Sequence, residues 1–161
     1  NSQPWKFVVV RQKNAELAKV AYGGNYDQVM EAPVTIALFT DTDLQRRARK
    51  IARVGGVKNF TDEQLQYFMQ NLPAEYARYN EQQISDYLAL NAGLVAMNLV
   101  LALTDQGIGS NIILGFDKSK VNEVLEIEER FRPELLITVG YAAEKVEPSY
   151  RLPVDEIIEK R

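Results

Sequence analysis

The side chains that could do chemistry in this sequence form several small groups, and none of these groups contains histidine or cysteine. All 161 residues lack both types. Their absence excludes a Ser-His-Asp triad, a thiolate nucleophile and the usual Cys and His ligands of zinc. It also removes the side chain best suited to proton transfer near neutral pH. If the protein is an enzyme, we therefore expect a bound cofactor to supply the reactive atoms.

Charged residues form the first of these groups. The carboxylates lie in segments that connect predicted elements, at Asp41, Asp43, Glu126, Glu128 and Glu129. Acid/base or metal-binding roles are conceivable for them, but most such clusters are solvated surface, and we predict that role. For the basic run at residues 46–50 we predict an exposed helix face, with phosphate binding as the alternative.

Aromatic residues form a second group in a polar stretch of the chain. They are Tyr67, Phe68, Tyr76 and Tyr79. Clustered aromatic side chains belong either to a hydrophobic core or to the wall of a ligand pocket, and both readings stay open. If this stretch lines a substrate channel, Phe68 and Tyr67 are the residues we expect to contact the substrate.

Two glycine-containing segments are candidate binding loops. GIGSNI at Gly107–Ile112 follows a predicted helix and precedes a predicted strand, the reverse of the order that a dinucleotide-binding turn requires, so we reject that role. At Leu114–Phe116, a glycine closes a predicted strand and would let backbone amides approach a flat ligand closely. An ordinary strand-to-helix turn is the alternative there.

The elements that must position these groups belong to one predicted α+β domain covering residues 1–161. Apolar and β-branched runs predict strands at residues 6–10, 34–39, 110–114 and 135–139. Short helices are expected after Asn14 and Asp117, and Gly23 to Asn25 is expected to be a loop. The tail is predicted to add a short strand or helix.

Residues 41–83 are predicted to leave this core as two or three short amphipathic helices. One of them begins at a capping box formed by Thr61 and Gln64, and Pro73 interrupts the pattern. The following segment, 83–104, is apolar nearly all round, which predicts a long helix buried on most sides and ended by Gly107. Because Asn91 and Asn98 interrupt its apolar run, we do not expect it to span a membrane.

Composition limits the classes of partner. Apolar residues make up 46% and charged residues 25%, which is typical of a globular domain, and the net charge is −3. An acidic chain is a poor candidate for binding nucleic acid or an anionic membrane. With no signal peptide in the sequence, we expect a cytoplasmic protein.

Four segments taken together resemble the nitroreductase family of flavin enzymes, over nearly the whole chain except residues 41–83. Three motifs are specific for this family only when they occur together: NSQPW near the start, the LGFD turn after the long helix, and the late RLP. The segments are NSQPWKFVVV at Asn1–Val10, GNY with APVTIAL within residues 24–38, residues 88–117, and VGYAAEK with RLPVDEII within residues 139–158.

The resemblance implies a three-layer α+β fold with a central, mainly antiparallel sheet and a long buried helix, assembled as a domain-entwined homodimer. It implies FMN, tightly bound at the subunit interface, and NAD(P)H as co-substrate. In ping-pong chemistry, a hydride would enter at flavin N5 and leave to a nitroaromatic, a quinone or a related small-molecule acceptor. A flavin-binding module without turnover, or a specialised dehydrogenase or dehalogenase of the same fold, is the alternative.

The resemblance also assigns residues to the flavin. Asn1, Ser2 and Gln3 would border the ring, with Asn1 reaching it from the opposite subunit, and Asn25 would bond its pyrimidine edge. The turn formed by Ile112, Ile113, Leu114 and Gly115 would address flavin N5 and O4 through the backbone N–H groups of its last two residues. Arg151 would grip the FMN phosphate, because a guanidinium fork suits that group.

One implied residue departs from relatives that carry a lysine. Gln28 occupies this position near the pyrimidine edge. A neutral amide stabilises negative charge on the reduced ring less than a cation does, so we expect a lower redox potential. No metal site and no catalytic side chain are implied.

The start of the sequence also departs from the family pattern. An N-terminal helix with an Arg-x-Ser phosphate motif, and a Pro-Ser segment before Asn-x-Gln-Pro-Trp, are both missing. Either the sequence is a fragment that begins inside the motif, or it is a truncated member with impaired FMN binding. We expect the first, since the rest of the pattern is intact.

Overall fold

The computed structural model describes residues 2–12, 14–57, 60–144 and 149–161. Its strands are β1 (Trp5–Val10), β2 (Val34–Asp41), β3 (Gly109–Ile113) and β4 (Phe131–Gly140). Its α-helices are α1 (Asn14–Ala18), α2 (Asn25–Glu31), α3 (Leu44–Val57), α4 (Asp62–Gln66), α5 (Leu72–Tyr76), α6 (Glu81–Asp105) and α7 (Lys118–Leu125). A π-helical turn (Tyr67–Asn71) joins α4 to α5, and a short 3₁₀ turn (Val154–Glu156) lies in the tail.

The strands form one sheet in the order β1-β2-β4-β3, and every neighbouring pair is antiparallel. This confirms the predicted antiparallel sheet. Strands β1 and β3 are its two edges. The register between β2 and β4 shifts at Leu38/Phe39, where a bulge accommodates one extra residue.

Helices cover both faces of the sheet and make the three layers. Successive side chains of a strand point to opposite faces. Ala37 and Phe39 of β2 therefore pack in the cluster that holds Val121 of α7. Leu38, between them, packs on the other side against Ala92 of α6.

Helix α6 approaches the sheet through small side chains. Ala92 and Ala96 are 2% and 1% exposed and pack against Leu38, Leu135 and Ile137. The expectation that α6 is buried on most sides holds for this face only. The opposite face is exposed in the single chain, with exposed fractions of 63% at Leu90, 64% at Leu94, 49% at Met97 and 62% at Leu101.

By length and composition alone, α6 could also cross a membrane. The helix carries Asn91 and Asn98 within its apolar run. Because it packs on the sheet through Ala92 and Ala96, we assign it to the core of the fold.

The excursion at residues 41–83 is helical, as predicted, although its first helix has 14 residues and is longer than expected. The capping box is confirmed: Thr61 accepts a hydrogen bond from the backbone N–H of Gln64, whose side chain accepts one from Thr61 N–H. The π-helical turn ends at Asn71, two residues before Pro73, which lacks a backbone N–H to continue an α-helical ladder. These helices are tied to α6 by a separate core that includes Leu44, Leu72 and Leu88.

Two glycines with positive φ set helix boundaries. Gly107 has φ of +70° and follows α6, where its N–H bonds the carbonyl of Thr104, as the sequence predicts. Gly23 has φ of +54°, but the expected loop is short, because α2 begins at Asn25. Helix α2 is therefore an element that the sequence pattern missed.

The contact between α6 and the sheet makes a stability prediction. We expect Ala96→Leu to lower the free energy of unfolding by about 1–3 kcal/mol, because the added atoms have no space against the sheet. The matched control is Ala74→Leu on α5, where the side chain is exposed and the change should stay within about 0.5 kcal/mol. Urea unfolding followed by circular dichroism measures both; equal effects would show that the contact is not tight.

Candidate functional site

The turn after β3 is the point at which several predicted residues meet. The side chain of Asn25, the first residue of α2, donates a hydrogen bond from Nδ2 to the carbonyl of Gly115 at 3.1 Å. The same carbonyl accepts from the backbone N–H of Tyr22 at 2.9 Å. These two hydrogen bonds hold the loop before α2 against the turn after β3. A site that uses both Asn25 and Gly115 requires this proximity.

Glycine is needed at this turn for space. A Cβ atom built on Gly115 would lie 2.6 Å from Nδ2 of Asn25, too close for a side chain to be accommodated without a shift. The turn is anchored on both sides by buried residues, Ile113 at 2% exposure and Phe116 at 4%. Phe116 also forms an isolated β-bridge with Ala21.

Between these anchors, the turn is exposed at Leu114. Leu114 is 67% exposed. Within the described residues, the backbone N–H groups of Leu114 and Gly115 donate to no acceptor of the chain. Two adjacent N–H donors at an exposed turn suit hydrogen bonding to acceptor atoms on a ligand.

A second part of this region joins α2 to β3 through amides. Nδ2 of Asn111 donates to Oε1 of Gln28 at 2.6 Å. Both residues line a cleft of about 460 Å³ that also borders Glu31 and Gly140. The sequence analysis did not identify Asn111 as a site residue. The only sequence signal for it was a polar residue inside the apolar run that predicts strand β3.

The predicted residues before β1 lie elsewhere. Gln3 has φ of +45° and borders a pocket of about 310 Å³ with Arg47, Ile51 and Phe60. Arg47 holds this segment by donating to the backbone carbonyls of Ser2 and Trp5, each at 3.3 Å. Sequence reasoning missed the role of Arg47 within the basic run.

Ser2 is buried, and its hydroxyl contacts the hydroxyl of Tyr87 at 2.6 Å. Tyr87 in turn contacts the hydroxyl of Tyr76 at 3.1 Å. Burial raises the pKa of Tyr76 well above its ordinary value. This chain of hydroxyls fixes the N-terminal segment to α5 and α6.

Phe68 and Tyr67 are not in the lining of the Gln3 pocket, but the ring of Phe60 connects them to it. Phe68 stacks on Phe60 with 5.6 Å between ring centroids and meets Tyr67 edge-on at 5.4 Å. Phe60 itself lines the pocket. Tyr76 and Tyr79 belong to the core between α3, α5 and α6, against which Phe68 also packs.

The predicted residues before β1 and those around the turn after β3 are not brought together within one chain. Strands β2 and β4 separate β1 from β3, so the edges lie about 14 Å apart, at three strand spacings. Trp5 is in register with Thr40, whereas Ile113 is in register with Leu136, which adds about 10 Å along the strands. Gln3 and the Leu114 turn therefore cannot border the same small ring in a single copy.

The remaining predicted residues are not placed at either group. Asn1 lies outside the described residues. Arg151 is exposed, and its Nη1 donates to Oγ of Ser149 at 2.7 Å and to the carbonyl of Tyr150 at 2.8 Å. No described contact joins Arg151 to the turn after β3, so its role stays a prediction.

The prediction that the connecting carboxylates are solvated surface is wrong for Asp41, which is 3% exposed and lies 3.8 Å from Nη1 of Arg130. Asp43 accepts a hydrogen bond from the backbone N–H of Arg46 in the first turn of α3. Asp117 caps α7, and a hydrogen bond from Ser119 is the main cause that lowers its pKa. In the part of the chain that the structure describes, no group of three His, Cys, Asp or Glu side chains could hold a metal ion.

Comparison with known proteins gives consistent results. A sequence profile of the Nitroreductase family matches residues 1–141. A Streptococcus pyogenes protein named "Putative NAD(P)H nitroreductase Spy0809" is 63% identical over 161 residues, covering 100% of this chain and 80% of its own length.

Solved structures show the same similarity. A nitroreductase family protein from Streptococcus pneumoniae TIGR4 is 87% identical, with a TM-score of 0.97, over 99% of this chain and 80% of its own. A "putative nitroreductase in complex with FMN" from Exiguobacterium sibiricum is 27% identical, with a TM-score of 0.89, over 99% of this chain and 78% of its own.

The contact between Asn25 and Gly115 can be tested by a double-mutant cycle. We expect Gly115→Ala to cost about 0.5–1.5 kcal/mol of unfolding free energy, because the new methyl group displaces the Asn25 amide from its hydrogen bond. In the Asn25→Ala background the same change should cost much less, since the displaced atoms are gone. Urea unfolding of the four proteins gives the coupling; additive costs would contradict this geometry.

Proposed function

The chain belongs to the nitroreductase family, and we propose that it is an FMN-dependent oxidoreductase that takes electrons from NAD(P)H. The proposed acceptors are nitroaromatics, quinones or related small molecules. The family match and the NAD(P)H nitroreductase named among its relatives support the reaction class. The FMN complex of the Exiguobacterium relative supports the cofactor.

The observation that carries the proposal is the turn at Leu114 and Gly115. Its two N–H groups have no acceptor within the described chain, and Leu114 is exposed, so both donors are available to a ligand in our proposal. Backbone donors serve this purpose whatever the side chain, so leucine is acceptable there. When bound, FMN would supply hydride transfer through N5, chemistry for which the protein needs neither histidine nor cysteine.

Amide side chains would orient the ring. Asn25, fixed by its bond to Gly115, retains its Oδ1 for a donor on the pyrimidine edge. Gln28, fixed by Asn111, is neutral. It would therefore stabilise the reduced, negatively charged state less than a lysine would, which lowers the proposed redox potential.

The proposed assembly is a homodimer in which two copies complete each site. In one copy, Gln3 and the Leu114 turn lie at opposite edges of the sheet. A two-fold related copy could bring its own N-terminal segment, with Asn1, Ser2 and Gln3, to the turn of the first. The exposed apolar face of α6 would be covered in the same assembly. A cytoplasmic location remains a prediction.

The activity is tested with the purified protein. We expect yellow flavin absorbance, or its appearance after reconstitution with FMN, and steady oxidation of NADH or NADPH with a nitrofuran or menadione as acceptor. A colourless protein that cannot be reconstituted would contradict the proposal. Bound FMN that neither nicotinamide reduces on anaerobic mixing would instead identify a flavin-binding module without turnover.

Arg151 is proposed to bind the FMN phosphate. Arg151→Ala should weaken FMN binding by about 1.5–3 kcal/mol, the scale of a hydrogen bond to a charged group. Arg161→Ala is the matched control in the same exposed tail, where the side chain pairs with Glu159. Quenching of FMN fluorescence on binding measures both affinities; an unchanged affinity in Arg151→Ala would show that the phosphate binds elsewhere.

A further inference from the structure

A cleft between α3, β1 and the loop before β4 gathers positive charge on an otherwise acidic chain. We name it the cationic cleft; its volume is about 350 Å³, and its cations are Lys6, Arg46, Arg47, Lys50 and Arg130. Two carboxylates, Asp41 and Glu128, also line it. With five cations and two carboxylates, the lining of the cleft is positively charged, although the net charge of the chain is −3.

Arg130, at the wall of this cleft, has two nitrogen donors that make no hydrogen bond although two carboxylates lie nearby. Its Nε and Nη1 atoms are buried and have no hydrogen-bond partner in the described structure. Nη1 is 3.8 Å from Oδ2 of the buried Asp41. Nε is 3.2 Å from Oε2 of Glu128, without hydrogen-bond geometry, and that carboxylate is largely exposed. Neither carboxylate therefore satisfies the donors of this guanidinium.

The cleft is held in shape by contacts of its lining. The Phe131 ring lies 4.3 Å from Lys6 Nζ and 4.4 Å from the Arg130 guanidinium carbon. Nδ2 of Asn122 donates to the carbonyls of Glu128 and Phe131 at 3.1 and 2.8 Å, which fixes the loop that carries Arg130. Lys6 of β1 and Arg130 of this loop thus lie beside the same ring, where their like charges repel each other.

The other cations lack partners that would neutralise them. Among the described residues, no carboxylate pairs with Lys6, Arg46 or Lys50, and Arg47 donates to backbone carbonyls only. Several unpaired cations around one concave surface attract a multiply charged anion more strongly than separate cations do. Arginine also binds phosphate oxygens in a two-pronged geometry.

We propose that the cationic cleft binds the phosphate groups of a small molecule. The cleft lies beside the Gln3 pocket, because Arg47 and Lys50 line both. A cationic surface next to one lined by Ile51, Val54 and Phe60 suits a ligand that carries both phosphates and a flat ring. The phosphates belong either to the nicotinamide co-substrate or to a separate phosphate compound, and the chemistry recognised is the same.

Titration calorimetry with inorganic pyrophosphate in low-salt buffer tests the site without flavin or turnover, so its failure is distinct from failure of the proposed function. We expect saturable binding that weakens as salt screens the charges. Arg46→Gln should weaken it about tenfold, the scale of one charge-assisted hydrogen bond. Arg49→Gln is the matched control, because Arg49 is exposed on the same helix and does not line the cleft.

No saturable binding to the unmodified protein, or an equal loss in Arg46→Gln and Arg49→Gln, would overturn the proposal. Lys50→Gln, a second substitution in the lining of the cleft, should also weaken pyrophosphate binding. The source of the phosphates is separated by kinetics, which rest on the proposed function. A KM for NAD(P)H that rises in Arg46→Gln identifies the co-substrate, whereas an unchanged KM with weakened pyrophosphate binding identifies a separate phosphate compound.

Discussion

The close packing of α6 on the sheet is the contact on which the rest of the fold depends. Ala92 and Ala96 let the helix backbone approach Leu38 and Ile137, which seals one face of the sheet. The long helix then holds the excursion helices through Leu88. The face of α6 that packs on the sheet carries small residues, and its large apolar side chains lie on the opposite face. The same sequence that builds the core therefore also builds an apolar surface suited to a second copy.

The order of the strands imposes a second constraint. With β2 and β4 between the edges, the segment before β1 and the turn after β3 are held apart by a rigid sheet. Each edge is well fixed by itself: Arg47 anchors the N-terminal segment, and Asn25 anchors the turn. In the homodimer we propose, these two separately anchored segments would form the two halves of one site, each contributed by a different copy.

Much of the fold could be predicted from local sequence signals. The capping box at Thr61 and Gln64, the glycine after α6 and the apolar runs of the strands each act within a few residues, and all appear in the structure. Helix α2 was missed because its start at Asn25 coincides with glycines that signal a loop. The contact between Gln28 and Asn111 depends on residues 83 positions apart. No local pattern can specify such a contact, and the same holds for the anchoring by Arg47.

The two edges also differ in electrostatics, and this difference gives the proposed dimer a division of roles. The lining of the cleft beside α2 consists of amides, small residues, Tyr141 and one carboxylate, Glu31, so the edge that would hold the ring contributes no cation there. The cations lie at the other edge, around Arg47 and Lys50. If two copies complete each site, the amide edge of one copy would supply orientation through hydrogen bonds, and the cationic edge of the other would supply positive charge. A neutral Gln28 is then consistent with a site whose electrostatic stabilisation comes from across the interface.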